Sequence, residues 1–244
     1  MVKYFLSLLV LLSIIACNSK LSNNPAVFLS IIPYGLLKDE AYRIRIDSNI
    51  LTIESMHPSG ITRGLASLKQ LALLNEFEAN YFIPNVNITD TPEFQHRGLL
   101  LDCSRHFFSK EVILKYIDLL ALYKMNVLHW HLTEDQGWRL AIDKHPKLTE
   151  VGAFRTEMDG SEYGGYYTKE DIKEIVAYAT KKHIEIIPEI ELPGHSQAAI
   201  ASFPHLSCTG NRVDVANDWG VFKEIYCAGN DSVFIFLEDV LTEV

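Results

Sequence analysis

Lys124–Arg139 reads KMNVLHWHLTEDQGWR, and this stretch decides the fold. Asn126–Leu132 is an almost unbroken apolar run, long enough for a strand and too short for an ordinary helix. His129 and His131 interrupt it two residues apart, so both lie on one face of that strand. A strand without polar alternation is covered on both faces, the habit of parallel sheets. Glu134, Asp135, Gln136 and Trp138 follow at once. A polar cluster just past the carboxyl end of a strand is where α/β folds place ligand-binding loops.

The pattern repeats on both sides. Arg97–Cys103 (RGLLLDC) is a second apolar run with polar ends, followed by Ser104, Arg105 and His106. Ile184–Leu192 (IEIIPEIEL) is a third, carrying Glu189 and Glu191, with His195 close behind. Between these runs, Ser109 is placed to cap a helix with Val112, Ile113, Tyr116, Ile117, Leu120 and Tyr123 on one side. Thr168–Asp171 has the form of a capping box before a helix running to about Lys182, and Ser232–Val244 opens a further helix. Strand and helix in alternation predict parallel βα units. Three polar clusters then sit at consecutive strand ends: Asp102 with Ser104, Arg105 and His106; His129 and His131 with Glu134, Asp135, Gln136 and Trp138; and Glu189 with Glu191 and His195. A barrel converges such ends on one pocket. Plainer readings exist for each: a surface ion pair for Arg105, satisfied core histidines for His129 and His131, a strand terminus for Glu191 and His195.

Upstream lies a smaller α+β unit over 25–91. Tyr42, Ile44 and Ile46 alternate with Arg43 and Arg45, Asp47–Asn49 supplies a turn, and a second alternating segment runs from Ile50 to Ser55, which together predict a hairpin. After Gly60, apolar residues at Ile61, Leu65, Leu68, Leu71, Ala72 and Leu74 keep helical spacing. No polar cluster marks a site here, and Ile83–Pro92 is expected to be the linker to the second region. Residues 1–17 form an address: one cation at Lys3, a twelve-residue apolar run Phe5–Ala16, then Cys17. The run is too short to span a bilayer. Residues 18–24 are polar and tether-like. Cys17 then either carries lipid, as in a bacterial lipoprotein, or is incidental to a plain signal peptide.

The 244 residues hold 31 acidic and 22 basic side chains, a net charge of −9, with no basic run. Nucleic acid is therefore not an expected partner. Four cysteines in a chain this long do not make a disulfide-framed miniprotein. Export would let Cys208 and Cys227 pair around a loop holding Asp214, Asp218 and Trp219; the alternative is two free thiols. Cys103, inside an apolar run, reads as a small core residue.

Three long segments together resemble one family. They are His96–Phe107 (HRGLLLDCSRHF), Lys124–Arg139, and Pro188–His195 (PEIELPGH). In this order they resemble the front part of the catalytic barrel of family 20 glycoside hydrolases, the β-N-acetylhexosaminidases. The resemblance implies the first three to four βα units of a TIM (β/α)8 barrel over 94–244, preceded over 25–91 by a shortened form of the family's small α+β domain. It implies a glycosidase acting on terminal β-linked N-acetylglucosamine or N-acetylgalactosamine of glycans, with no cofactor and no metal. Its mechanism is retaining and substrate-assisted: the sugar's own acetamido oxygen attacks the anomeric carbon, one Asp orients that group, and the adjacent Glu serves as general acid and then base.

Carried over residue by residue, Arg105 matches the family arginine that grips sugar hydroxyls. Glu134 and Asp135 match an acidic pair that is often two Asp, and one of them supports the histidine matched by His195. Which one is open, because Glu134 departs from the pattern. His131 and Trp138 are expected to shape the pocket. The family's Asp-Glu pair falls at the end of a fourth strand, past Val244, and Glu238-Asp239 has the wrong order and a helical context. The expectation is a fragment or truncated reading frame, without glycosidase activity of its own, from an exported protein of the bacterial cell envelope. Two other classes fit the same residues: a glycan-binding lipoprotein without catalysis, and a metal-dependent barrel hydrolase using His129, His131, Glu189, Glu191 and His195.

Overall fold

The computed structural model describes residues 26–31, 39–47, 50–74, 76–77, 80–81 and 85–244. Cys17, the leader 1–17 and the tether 18–24 lie outside the described residues. The chain divides into two compact units, one comprising Met1–Gln95 with Ala121–Lys124 and the other His96–Leu120 with Met125–Val244.

Among the described residues, the first unit holds a four-stranded sheet, a helix and a short antiparallel pairing of 76–77 with 80–81. β1 (Ala26–Ile31), β2 (Tyr42–Asp47), β3 (Ile50–Ser55) and β4 (Val86–Asp90) lie in the order β1-β3-β2-β4. β2 runs antiparallel to β3 and β4, and β1 runs parallel to β3. Period-two alternation puts Ile44 opposite Ile53, and both are fully buried. With Tyr42, Leu51, Ile61 and Leu68 they form the core against α1 (Pro58–Leu74). The helix settles onto the sheet at Gly64, where a Cβ would lie 2.7 Å from Ile53 Cγ2. The expected linker Ile83–Pro92 contains β4 instead. Val86, Ile88 and Asp90 alternate with Asn87 and Thr89, and Ile88 pairs with Ile44 across the sheet. Pro84 and Pro92 only bracket this strand.

The second unit is built on three parallel strands, β5 (Gly98–Asp102), β6 (Val127–His131) and β7 (Glu185–Glu189), ordered β7-β6-β5. α2 (Lys110–Leu122) connects β5 to β6. α3 (Lys147–Glu150) and α4 (Lys169–Lys181) lie between β6 and β7, and α5 (Gln197–Ser202) and α6 (Asp231–Glu243) follow. α2 buries Ile113, Ile117 and Leu120 at helical spacing. Tyr123 does not join that face: it falls past the helix end and is 69% exposed. Thr168 and Asp171 form a reciprocal capping box at the start of α4. Burial is greatest on the central strand, where Leu128 and Trp130 are buried, while Leu99, Leu100 and Ile187 on the flanking strands are exposed. The expected two-faced burial therefore holds for β6, which has a partner on both sides, and not for β5 and β7.

The loops at the carboxyl ends are held by a buried cation. Arg139 is 0% exposed, and its guanidinium spends all five N–H groups on backbone carbonyls. Nε and Nη2 donate to Ser104 O (3.1 and 2.7 Å), Nη1 to Ala153 O (2.5 Å) and Gly165 O (3.0 Å), and Nη2 also to Gln136 O (3.4 Å). Burial, aided by the nearby Arg155, lowers its pKa to about 10, so it stays charged at neutral pH. We expect Arg139→Met to strand these carbonyls and cost about 3 kcal/mol or more, a fall in the thermal midpoint of roughly 6–12 °C. Arg139→Lys, charged but with fewer donors, should recover only part of this. A melting curve of the Met variant that overlays the unsubstituted chain would refute the assignment.

Candidate functional site

Strand register assembles the site. Asp102, His131 and Glu189 are paired across the last rung of β5, β6 and β7. Just past that rung, Asp102 Oδ1 accepts from the backbone N–H groups of Ser104 (2.9 Å) and Arg105 (3.0 Å), which turns the chain back on itself. The Arg105 guanidinium then donates through Nη1 to Asp102 Oδ2 (2.6 Å) and through Nη2, in a very short contact, to Glu134 Oε1. Arg155 fixes the same loop from below, donating to the carbonyls of Arg105 (2.8 Å) and Gln136 (3.2 Å).

Glu134 is the hinge of the cluster. Its side chain is 1% exposed, whereas the His195 side chain is 51% exposed. Glu134 Oε1 lies 2.7 Å from His195 Nδ1, and Oε2 accepts from the Asp135 backbone N–H at 2.7 Å. Asp135 stands further off, with Oδ2 3.6 Å from His195 Nδ1. Its Oδ1 is turned to the backbone N–H of Gln197 (3.0 Å) at the start of α5. Of the two acids, Glu134 makes the close contact to the imidazole. His195 holds a left-handed backbone (φ +53°), a conformation that costs a non-glycine residue energy and tends to occur at functional sites. The Leu192–Pro193 bond before it is cis.

The electrostatics follow from these contacts. Burial alone would raise the Asp102 carboxyl, but the hydrogen bonds from Arg105 outweigh it and hold it below its ordinary range. The Arg105 guanidinium is partly buried, yet Asp102 and Glu134 push its pKa up. Asp135 is raised, first by burial and also by the neighbouring Glu134 carboxylate, against the Gln197 hydrogen bond. Glu191 is raised by burial and by Glu189.

The other sequence-predicted residues fall around this centre. His131 is buried, with Nε2 3.0 Å from Thr133 O, and it lies 3.7 Å from Glu189 and 3.9 Å from Glu191. It therefore props the carboxylates at the strand end. His129 Nε2 meets Glu189 Oε2 at 2.6 Å. Of the five residues weighed as one metal site, His131, Glu189 and Glu191 fall in one group of potential ligands and His195 in another, with Glu134 and Asp135, while His129 belongs to neither. Trp138 does not shape the pocket. It is 1% exposed, donates to Leu140 O at 2.6 Å, and packs beside Phe236 in the core. Its position just after the polar cluster suggested otherwise, but Gly137-Trp138 pairs back on Thr133-Glu134 and turns the indole inward. Cys208 and Cys227 form a disulfide at the foot of the following loop, and Cys103 is a buried free thiol near Trp130 Nε1 (3.2 Å). The sequence reading missed Arg139 and Arg155 as supports; their only signal was a basic residue inside or just after otherwise apolar segments.

Two hollows flank these residues. One of about 830 Å³ is lined by Trp130, Leu132, Ile172 and Val176 and contains none of Arg105, Glu134, Asp135 or His195. The other, about 280 Å³, is bordered by Arg105, Gln136 and Trp219. Of the cluster, only the Arg105 guanidinium borders the second hollow; Glu134, Asp135 and His195 line neither.

With the geometry in place, comparison with known proteins is informative. Residues 94–244 match the profile of glycosyl hydrolase family 20, catalytic domain, and residues 4–91 that of glycosyl hydrolase family 20, domain 2. The chain is 45% identical over 224 residues to a beta-hexosaminidase of Porphyromonas gingivalis, covering 90% of this chain and 29% of that protein. It is 38% identical over 213 residues to a beta-hexosaminidase of Akkermansia muciniphila, covering 85% of this chain and 43% of that one. Among solved structures, a beta-N-acetylhexosaminidase from Streptomyces coelicolor superimposes with a TM-score of 0.83 at 38% identity, over 91% of this chain and 45% of the other. The Bacteroides fragilis beta-N-acetylhexosaminidase gives 0.78 at 35% identity, over 93% and 43%. The chain thus spans less than half the length of these relatives.

The contrast between the two acids is open to measurement. Raised above its unfolded value of 3.8, the Asp135 carboxyl contributes stability below that pH and loses it as pH rises through the folded value, so at pH 7 its charge is a burden. Asp135→Asn should therefore be neutral or mildly stabilising at pH 7. Glu134→Gln removes the negative charge shared by Arg105 and His195 and one of the two acceptor oxygens in use, and should cost about 2–3 kcal/mol. Thermal unfolding of both variants at pH 7 checks this, and the reverse ranking would contradict it.

Proposed function

Because the chain belongs to glycosyl hydrolase family 20, we propose that it supplies the sugar-gripping and acid-supporting part of a β-N-acetylhexosaminidase pocket. The observation that carries this reading is Glu134, a buried carboxylate shared between the guanidinium of Arg105 and Nδ1 of His195. The three parallel strands would be the opening units of a TIM barrel, with 25–91 as the accessory α+β domain.

In this reading Arg105 offers the planar N–H fork suited to vicinal hydroxyls. Two of its donors are committed to Asp102 and Glu134, which keeps it from swinging with the substrate. His195 engages Glu134 through Nδ1, so Nε2 is free to face the carboxyl that protonates the leaving group. Asp135 anchors α5 through Gln197 and keeps His195 and its turn in place. The substrate would be a glycan ending in β-linked N-acetylglucosamine or N-acetylgalactosamine, cleaved with retention through participation of its acetamido oxygen. A structural relative from Streptomyces plicatus is a mutant beta-hexosaminidase in complex with product (GlcNAc), which supports the hexosamine assignment. The Asp-Glu pair that the resemblance assigns to chemistry is not among these residues.

Two outcomes follow. The 244 residues by themselves should bind N-acetylglucosamine in calorimetry, should lose roughly tenfold or more in affinity on Arg105→Ala, and should not release nitrophenol from a chromogenic N-acetylglucosaminide. Binding indifferent to Arg105, or ordinary turnover, would refute this division of labour. We further propose that Cys17 is lipidated after export and holds the protein to a bacterial envelope membrane. Labelled palmitate should enter the chain in a bacterial host and vanish with Cys17→Ser; equal labelling of both would count against the anchor.

A further inference from the structure

The two nitrogens of the buried His131 imidazole are put to different uses. Nε2 lies 3.0 Å from Thr133 O, and a carbonyl only accepts, so in the neutral ring the proton sits on Nε2. Nδ1 is then a bare lone pair, and it faces Glu189 Oε2 at 3.7 Å. That oxygen is itself buried without a hydrogen bond, although His129 Nε2 also approaches it to 2.6 Å. Glu191 joins the group, with Oε1 3.9 Å from His131 Nε2. One ligand atom from each of His131, Glu189 and Glu191 lies within 4.8 Å of the other two. Among the described residues, the ion-pair partners of these two carboxylates are His129 and His131, with no lysine or arginine. A buried acceptor without a donor calls for an explanation, and a bound ion is one.

The group is also held from outside. Thr133 is 2% exposed and serves two of its members: its carbonyl accepts from His131 Nε2, and its Oγ1 accepts from the Glu191 backbone N–H at 2.9 Å. His131 and Glu189 are register partners on adjacent strands, so their side chains leave the sheet on one face. A ligating histidine commonly gives its second N–H to a backbone carbonyl, which fixes the ring and aims the other nitrogen at the metal. The donor set chooses among ions. An imidazole nitrogen tells against calcium and magnesium, which prefer oxygen alone, and the lack of a thiolate tells against copper(I). One nitrogen and two carboxylate oxygens suit zinc, with water completing its coordination.

We propose that His131, Glu189 and Glu191 form a binding site for a zinc ion, which ties the end of β7 and the segment after it to β6. The site uses none of Arg105, Glu134, Asp135 or His195, and it stands whether or not the sugar reading does. Calorimetry titrates zinc into the full 244-residue chain. One ion should bind saturably, and a roughly hundredfold excess over the dissociation constant should raise the thermal midpoint by roughly 5–10 °C. Glu189→Gln and Glu191→Gln keep the side-chain shape and remove a ligand charge, and each should weaken zinc binding about tenfold or more; Thr133→Val, which removes only the hydroxyl support, should weaken it about tenfold. His195→Ala, which breaks the neighbouring group of Glu134, Asp135 and His195, should leave zinc affinity unchanged. X-ray absorption on the zinc-loaded parent chain needs no variant to fold: it should show one imidazole and carboxylate oxygens at about 2.0–2.2 Å, with no sulfur. No saturable uptake, a sulfur in the shell, or affinity lost in His195→Ala but kept in Glu189→Gln and Glu191→Gln would overturn the site.

Discussion

The polar end of the second unit depends on one buried guanidinium. Arg139 donates its hydrogen bonds to Ser104, Gln136, Ala153 and Gly165, carbonyls drawn from four separate places in the chain. Backbone carbonyls buried without donors are expensive, and one planar cation satisfies four of them at once. The arrangement needs room: a Cβ at Gly137 would lie 2.1 Å from Arg139 Nη2, so the residue two before the arginine has no side chain. Because Ser104 precedes Arg105 and Gln136 follows Asp135, the same cation that closes the core also sets the spacing of the pocket.

Above that platform the site is organised by competition for acceptors. Glu134 is buried and offers one oxygen to both Arg105 and His195 and the other to the Asp135 backbone N–H. Asp135 beside it is pushed toward protonation, first by burial and also by the Glu134 carboxylate. Two adjacent acids are thereby given different tasks, one electrostatic and one architectural. Arg105, clamped by Asp102 and Glu134, is positioned before any ligand arrives, which limits the ordering that binding requires.

The alternation of strands and helices was legible because it rests on local rules. The capping box at Thr168–Asp171, the hairpin from Tyr42 to Ser55 and the apolar run of β6 all lie within short windows. The grouping of Arg105, Glu134 and His195 was legible because parallel strands bring their carboxyl ends together. β4 escaped notice since two prolines flanked a pattern only five residues long. Trp138 misled because neighbours in sequence need not share a face once a tight hairpin intervenes. Arg139 had no readable partner: its acceptors are main-chain atoms up to 35 residues away, and main-chain carbonyls leave no trace in residue type. The choice of Glu134 over Asp135 as the contact to His195 required side-chain geometry that spacing does not encode.

The left-handed backbone at His195 acts as a filter on inheritance. Asparagine and aspartate tolerate such a conformation better than most side chains, glycine adopts it freely, and β-branched residues resist it. Drift at this codon is consequently steered toward a handful of small or polar substitutes, none of which carries an imidazole. The local chain path can thus outlive the chemistry it presents, and a descendant that lost the histidine would still wear the outline of its ancestor.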